Sequence, residues 1–434
     1  MKNIRCNKET ATRAVSLFLI MITALLGSGC ASITTQKDPL APYMMTQQPQ
    51  QAVAALDALK LSDRDQIIYN LDKGILLRMQ GDLKGSNAIL EPAKAMIQKL
   101  DAVSIREQAA AVSVNDSMRS YLPPTFERAM LHVVMALNYL EQNDYNDARI
   151  EALQLNELLK QHKDDDPLPF AHYIIGLIFE ANGELDDALI AYRHTYNDYH
   201  TSKAKIPLLL KQDLLRLTQH LGLEDEEKKY SEEFQLKSWP TQAALKQQGQ
   251  VVAILFNGLI PRKQSEELNF LSPRDGPLHR ISVPSYESRV PQISNAKLII
   301  ANNSSNTQLL DELDQHAYAN LSAEMPAIIT RTVARVAVKN RIVDKTRDQS
   351  PLLGLALNIA TFISETADTR AWKTLPQDIL IARSVVAPGN YTIEMQLENG
   401  QSKSWPDSNI AKEKIRFVSW HWANSHVTGR RPRQ

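Results

Sequence analysis

The sequence predicts an α+β protein, in which an N-terminal array of helical repeats precedes a C-terminal, mostly-β domain with a helical insert. Two observations predict this order. Three stretches in the first half share one helical pattern. The second half contains short runs rich in β-branched residues, which are typical of strands. Strands on either side of a helical pair favour an α+β domain such as a small sandwich.

The first 30 residues predict export and lipid attachment. A basic leader is followed by an uncharged apolar run of 13 residues, 14–26, and then by three small residues. A membrane-spanning helix needs about 20 apolar residues, so residues 1–29 are typical of a secretory signal peptide. The stretch LLGSGCAS resembles the lipobox of bacterial lipoproteins. This resemblance implies that Cys30 is diacylated and becomes the mature N-terminus; an ordinary signal peptide with an incidental cysteine is the alternative.

Cysteine usage and charge narrow the functional classes. Cleavage after residue 29 would leave Cys30 as the only cysteine, which excludes an intrachain disulfide and a cysteine-based metal site. Ala31 follows, and among lipoproteins the absence of aspartate at this place implies the outer membrane, facing the periplasm. The chain balances 49 basic against 49 acidic residues, which argues against a nucleic-acid partner.

Residues 30–51 are polar and contain proline, and they predict a lipidated flexible tether between the anchor and the first folded element.

The helical repeat domain is predicted over residues 52–236. The stretches GILLRMQGDLKGSNAIL, ALNYLEQNDYNDARIEA and GLIFEANGELDDALIAY begin with a small residue, contain a turn and place a second small residue in the next helix. The turns fall at Gly81, Asn143 and Gly183, and the second small residues are Ser86, Ala148 and Ala188. Closely crossing helices need small residues at these places. The pattern resembles the tetratricopeptide repeat (TPR); a generic helical bundle is the alternative.

The TPR resemblance implies a protein partner. In TPR arrays the first helix of each hairpin lines a concave side, and partners bind there. The candidate partner-binding residues, expected to be exposed on these helices, are Lys73, Asn138 and His172.

The C-terminal α+β domain is predicted over residues 245–426 and is followed by a basic tail, 427–434. VVAILF, ISVPSY and AKLIIAN predict strands. A helical insert is predicted over 307–363, broken near Pro326 and Pro351. ILIARSVV and YTIEMQL flank a Pro-Gly-Asn turn and predict a hairpin, and KIRFVSWHW is expected to close the sheet.

The most distinctive motif in the C-terminal half is TADTRAWKTLP. Asp368, Arg370 and Trp372 alternate along it, and an Asp–Arg pair beside an indole can recognise an amide or a carboxylate. The structural alternative, which we favour, is a latch in which Trp372 is buried and Asp368 pairs with Arg370. The chain lacks the spacing of zinc proteases, phosphate-binding loops and esterases, so no catalytic residue, metal site or cofactor is predicted.

A basic amphipathic helix beside an apolar one is a further candidate interaction element. Arg331, Arg335 and Lys339 recur every fourth residue, and residues 352–363 are apolar nearly all round. Contact with anionic lipid or with a partner is one interpretation. Burial of the apolar helix inside its domain is the favoured alternative, because fully apolar helices are normally interior.

The overall plan resembles a family of uncharacterised proteobacterial lipoproteins. The residues that carry this resemblance are FERAMLHVVMALNYLEQNDYNDARIEA and ETADTRAWKTLPQDILIARSVVAPGNY. Members are often encoded near lipoproteins that activate peptidoglycan synthases. These features together predict a non-enzymatic, outer-membrane-anchored periplasmic lipoprotein that acts as a protein-protein interaction scaffold in cell-envelope assembly or peptidoglycan-synthesis regulation. No small-molecule ligand is expected; an envelope glycan-binding protein or hydrolase that uses the C-terminal domain is the alternative.

Overall fold

The structure, a computed structural model, describes residues 38–59, 61–107, 120–161, 166–271, 278–349 and 367–429. The described residues from Pro39 onward belong to one compact unit. Cys30, the signal peptide and the apolar run 352–363 lie outside the described residues. None of the described helices combines the length and the apolar composition that crossing a bilayer requires.

Four helical hairpins follow two short helices in the described part of the chain. The short helices are α1 (Ala41–Met45) and α2 (Pro49–Asp57). The hairpins are α3 (Gln66–Met79) with α4 (Leu83–Glu107), α5 (Thr125–Glu141) with α6 (Tyr145–Gln161), α7 (Pro169–Ala181) with α8 (Leu185–Ser202), and α9 (Leu208–His220) with α10 (Glu224–Phe234). The helical array predicted for the N-terminal half is therefore present. The hairpin of α9 and α10 is its last one.

The flexible tether predicted over residues 30–51 is wrong for its second half. Residues 41–45 and 49–57 are helical, and Leu40 and Met44 are buried at 1% exposure each. Pro42 and Pro49 lie in the first turn of their helices, where the missing N–H of proline costs nothing. The polar composition of this stretch shows no helical period in the sequence, because only a few apolar side chains anchor these two helices to the core.

The hairpin turns lie where the sequence predicts them. Gly81, Asn143 and Gly183 have φ angles of 86°, 62° and 82°, and Gly222 of the fourth hairpin has 68°. Glycine adopts positive φ without steric cost and asparagine tolerates it better than other residues, which explains the residue types at these turns.

The small positions of the repeats are packing sites, as predicted. Ala148 and Ala188 are fully buried. The helices also cross closely at Gly176, where an added Cβ would lie 2.3 Å from the ring of Tyr192. A larger side chain at these places would force the two helices of a hairpin apart.

Replacing Ala148 or Ala188 by leucine should therefore lower the free energy of unfolding by about 1–3 kcal/mol, because the crossing becomes overpacked. Chemical denaturation measures this change. Ala88→Leu is the matched control, since Ala88 lies exposed on α4 and should tolerate leucine. Neutral results at both buried alanines would mean that the repeat register is wrong.

The C-terminal part of the described chain contains eleven strands and two helices, α11 (Gln242–Leu245) and α12 (Leu313–Gln349). The strands are β1 (Gly249–Asn257), β2 (Arg262–Leu271), β3 (Leu278–Pro291), β4 (Ala296–Ile300), β5 (Asn303–Asn306), β6 (Gln308–Glu312), β7 (Asp378–Val386), β8 (Gly389–Leu397), β9 (Ser402–Ile410), β10 (Ile415–Trp422) and β11 (Ser425–Gly429). They form a central sheet in the order β10-β1-β7-β6, an outer sheet β5-β4-β8-β9, and a smaller sheet β11-β3-β2.

The central sheet is a middle layer with a core on each face. Val252 and Phe256 of β1 pack in the core that contains the helical array. Val251 and Leu255, which point the other way, pack in the core shared with the outer sheet. β1 is buried along its whole length, which explains why it reads as a continuous apolar run and not as an alternating one.

Three details of the C-terminal prediction are wrong. β7 and β8 were expected to pair as a hairpin, but β7 pairs with β1 and β6, whereas β8 pairs with β4 and β9. The insert begins with strand β6, and α12 then continues through Pro326 without a break. The strand β11 extends to Gly429 and pairs with β3, so the chain is ordered beyond the predicted start of the basic tail.

Candidate functional site

The first helices of the hairpins contact the protein's own central sheet. The guanidinium of Arg78 on α3 donates to Ser419 Oγ of β10 at 2.6 Å. The backbone N–H of Phe170 at the start of α7 donates to Asp311 of β6 at 3.4 Å. The side of the array that a TPR partner was expected to occupy is therefore covered from within the chain.

This contact overturns the predicted exposure of Asn138. The side chain is fully buried. Its Nδ2 donates to Ser86 Oγ at 2.9 Å and to Asn87 Oδ1 at 2.6 Å, and its Oδ1 accepts from Arg78. Asn138 therefore joins two hairpins as an internal hydrogen-bonding residue, and a protein partner cannot reach it. A bulky replacement at this position is expected to disrupt folding.

Lys73 and His172 are also engaged within the chain. The ammonium of Lys73 lies 2.9 Å from Asp57 Oδ1, and its side chain is 21% exposed. His172 Nδ1 lies 2.6 Å from Asp198 Oδ2, and its side chain is 13% exposed. Both pairs tie neighbouring helices together. The three candidate partner-binding residues are thus not brought together into one open surface.

The Asp368–Arg370–Trp372 motif has the geometry of a latch. Arg370 pairs with Asp368 through Nη2 and Oδ2 at 2.6 Å and lies 3.4 Å from Asp65 of the array. Trp372 is fully buried, and its backbone N–H donates to Glu127 Oε1 of α5 at 3.1 Å. Burial raises the pKa of Glu127 to about 7, although hydrogen bonds oppose the shift. The segment before β7 is thereby attached to the first two hairpins.

Removing the pair with Asp368→Ala and Arg370→Ala together should lower the free energy of unfolding by about 1–3 kcal/mol, because charged hydrogen bonds are lost at the contact with the array. The control is the double variant Arg193→Ala with Glu226→Ala, which removes a more exposed pair and should cost about 0–1 kcal/mol. A double variant at the motif that keeps full stability but loses function would instead favour the recognition alternative.

A buried cluster of four charges joins the array to the central sheet. Arg383 of β7 pairs with Glu180 of α7 and lies 2.9 Å from Asp213 of α9. Arg216 completes the cluster, at 2.9 Å from Glu180 and 2.7 Å from Asp213. Two positive and two negative charges balance. We call these residues the interface ion cluster.

An open cavity of about 530 Å³ lies at the edge of the central sheet, between strand β10 and the first hairpin. We call it the β10 pocket. Its lining contains Gln47, Pro49, Gln50, Arg78, Met79, Gln80, Gly81, Leu83, Glu141, Lys403, Trp405, Arg416, Ser419, Trp420 and His421. The pocket therefore combines polar and aromatic side chains from both halves of the protein, and its volume is in the range of small-molecule sites.

The pocket contains both ionised and neutral polar groups. Burial, supported by the positive charges of Arg78 and Lys403, holds the pKa of His421 well below its ordinary value. His421 is therefore neutral near pH 7; its ring stacks on Phe256 at 4.4 Å between centroids. Burial likewise lowers the pKa of Lys403, with Arg78 adding to the effect and Glu141 opposing it. Among the described side chains, no group of three His, Cys, Asp or Glu residues is arranged to hold a metal ion.

Sequence reasoning missed the pocket because its residues come from distant parts of the chain. Arg78 and Ser419, which meet beside it, are 341 positions apart. One signal was available: the continuous apolar run of β1 implied a strand that is covered on both faces. The run did not show whether the predicted helical insert or the helical array covers the second face.

Comparisons with known proteins give partial structural similarity to TPR-like repeat proteins. A crystal structure of MamA has a TM-score of 0.30 and 15% identity, covering 44% of this chain and 89% of that chain. A Podosopora anserina putative kinesin light chain with nearly identical TPR-like repeats has a TM-score of 0.32 and 17% identity, covering 45% and 90%. MamA from Desulfovibrio magneticus RS-1 has 0.29 and 12%, covering 45% and 86%. No protein-family model and no curated protein matches the chain.

Proposed function

We propose that this protein is an outer-membrane-anchored periplasmic lipoprotein that acts as a non-enzymatic protein-protein interaction scaffold in cell-envelope assembly or peptidoglycan-synthesis regulation. Its anchor is the lipid on Cys30, and its partner is a periplasmic or outer-membrane protein. The lipobox-like stretch before Cys30 supports the anchor, and stable attachment requires more than one acyl chain, as diacylation supplies.

The observation that carries the scaffold proposal is the exposure of large apolar side chains on the second helices of the hairpins. Ile150 and Leu153 on α6 are 50% and 43% exposed, and Ile190 on α8 is 48% exposed. Ile150 and Leu153 are three residues apart, so they share one helix face. Because the first helices contact the central sheet, the partner is expected at the second helices. Exposed apolar patches on a folded protein are typical of protein-binding surfaces, and Ile150 with Leu153 forms such a pair on one helix face.

A photo-crosslinking amino acid at Ile150, introduced in living cells, tests the scaffold. We expect one discrete protein adduct, and we expect Ile190→Asp to weaken it while leaving the melting temperature unchanged. A crosslinker at Thr392, which is exposed on β8, is the matched control and should give no such adduct. Absence of an adduct at Ile150, together with retention of the protein on isolated sacculi, would favour the glycan-binding or hydrolase alternative.

The anchor is tested separately by Cys30→Ser. The variant should take up no labelled palmitate and should accumulate as soluble periplasmic protein or as uncleaved precursor, because the acyl acceptor is missing. Palmitate labelling of the variant would remove the lipoprotein part of the proposal and leave the scaffold part to be judged by crosslinking.

A further inference from the structure

Charge is unbalanced in the β10 pocket. Three cationic side chains line it, from Arg78, Lys403 and Arg416, against one lining carboxylate, Glu141. Glu141 is already engaged, because it pairs with Arg78 and accepts a hydrogen bond from Ser419 Oγ at 2.7 Å. Glu141 acts on Lys403 only from a distance, and neither Lys403 nor Arg416 forms a direct ion pair with it.

Lys403 and Arg416 are held by neutral oxygens only. Lys403 Nζ donates to the carbonyl of Ser419 at 3.2 Å and lies 5.0 Å from the ring centre of Trp405. Arg416 Nη1 donates to the carbonyl of Glu141 at 3.1 Å and to Asn143 Oδ1 at 2.9 Å. None of the carboxylates that the structure describes forms an ion pair with either residue. Unpaired charge in a partly buried cavity is costly, and an anionic ligand would offset that cost.

The pocket also offers neutral recognition groups. His421 lines it, is 7% exposed, and its buried Nε2 has no hydrogen-bond partner. The indoles of Trp405 and Trp420 contribute apolar wall. A cavity of about 530 Å³ is much larger than a bare inorganic anion and is in the range of sites that hold ring-sized ligands.

From this arrangement we infer that the β10 pocket binds a small molecule with a carboxylate or phosphate group, which is attracted by Lys403 and Arg416, the two lining cations that form no ion pair within the described chain. His421 and the indoles of Trp405 and Trp420 supply the neutral part of the lining, against which the body of the ligand would lie. The binding needs neither the lipid anchor nor a protein partner, so it extends beyond the proposed scaffold function.

Three sugars that share one ring test this inference: N-acetylglucosamine, N-acetylglucosamine 6-phosphate and N-acetylmuramic acid. They differ in carrying no anionic group, a phosphate or a carboxylate. Binding to the full chain, purified in detergent, is measured by calorimetry and tryptophan fluorescence. We expect at least one charged sugar to bind about tenfold more tightly than the neutral one. The stronger of the two charged sugars identifies the anionic group that the pocket prefers.

Variants locate the binding. Lys403→Met should weaken binding of the charged sugar about tenfold, and Lys403→Arg should largely preserve it. Lys412→Met is the matched control: Lys412 is exposed in the connection between β9 and β10, outside the pocket lining, and its replacement should have no effect.

Equal binding of all three sugars, no binding of either charged sugar at millimolar concentration, or unchanged affinity in a folded Lys403→Met variant would each overturn the inference. If Lys403→Met does not fold, the comparison of charged and neutral sugars on the unaltered chain decides. These measurements do not depend on the crosslinking experiment at Ile150, so failure of the pocket and failure of the scaffold are distinguishable.

Discussion

Replacing Arg383 by methionine should lower the free energy of unfolding by about 3–5 kcal/mol, measured by chemical denaturation at pH 7. Arg383 is 7% exposed at its side chain and pairs with Glu180 and Asp213, and its Nε donates to Gln250 Oε1 at 2.7 Å. Without it, two buried carboxylates share the single cation of Arg216. An uncompensated buried charge is far more costly than the loss of one contact.

The same variant should change the acid limb of the stability curve. Burial alone would raise the pKa of Glu180, but Arg216 and Arg383 outweigh it and lower the pKa from 4.5 to about 2. A carboxylate with a lowered folded pKa stabilises the protein above pH 4.5 and loses that contribution as pH falls towards 2. With Arg383 removed, much of that contribution should already be missing at neutral pH.

Two further variants make the Arg383 result decisive. Glu180→Gln in the Arg383→Met background removes one unpaired carboxylate and should recover part of the loss, which appears as a coupling energy in a double-mutant cycle. Arg193→Met, which alters the half-exposed pair with Glu226, should cost about 0–1 kcal/mol. An Arg383→Met protein as stable as the unaltered chain would show that the interface ion cluster does not hold the array to the sheet.

Replacing His316 by glutamine should flatten the dependence of stability on alkaline pH. His316 is 7% exposed at its side chain, with Nδ1 at 2.9 Å from Asp166 and Nε2 at 3.0 Å from Asp311. Burial alone would lower the pKa of His316, but Asp311 and Asp166 outweigh it and raise the pKa to about 10. The imidazolium therefore lies between two carboxylates at the start of α12.

The direction in which stability changes with pH follows from the raised pKa of His316. The ion pairs contribute fully below pH 6.5, the unfolded value, and the contribution is lost as pH rises to about 10. Below pH 6.5, His316→Gln should therefore be less stable than the unaltered chain, by about 3–5 kcal/mol. The difference should shrink steadily between pH 6.5 and 10 as measured by denaturation at a series of pH values.

A matched histidine separates this effect from a general one. His200 lies 3.3 Å from Glu233 but is 53% exposed at its side chain. His200→Gln should lower the free energy of unfolding by only about 0–1 kcal/mol, since water already solvates that pair. If the free energy of unfolding depends on pH in the same way for His316→Gln and His200→Gln, then His316 is not a buried imidazolium.

The sequence by itself determined the local elements of the array. Apolar residues at helical spacing predict the helices, Gly81, Asn143 and Gly183 mark the turns, and Ala148 and Ala188 mark the crossings. Each of these features depends on residues a few positions apart, because helix period, positive φ and close crossing within one hairpin are local properties. The alternation along YTIEMQL likewise predicts a strand with one buried face, and β8 has that face.

Only the tertiary structure decided what packs against each face of the helical array and of the sheets. Local periodicity shows that a side chain is on the first-helix side of the array, but it does not show whether solvent, a partner or the chain's own sheet lies against that side. Asn138 was therefore expected to be exposed and is buried, and β7 and β8, adjacent in sequence, lie in different sheets. The interface ion cluster and the β10 pocket arise from residues hundreds of positions apart, whose proximity depends on how whole layers pack.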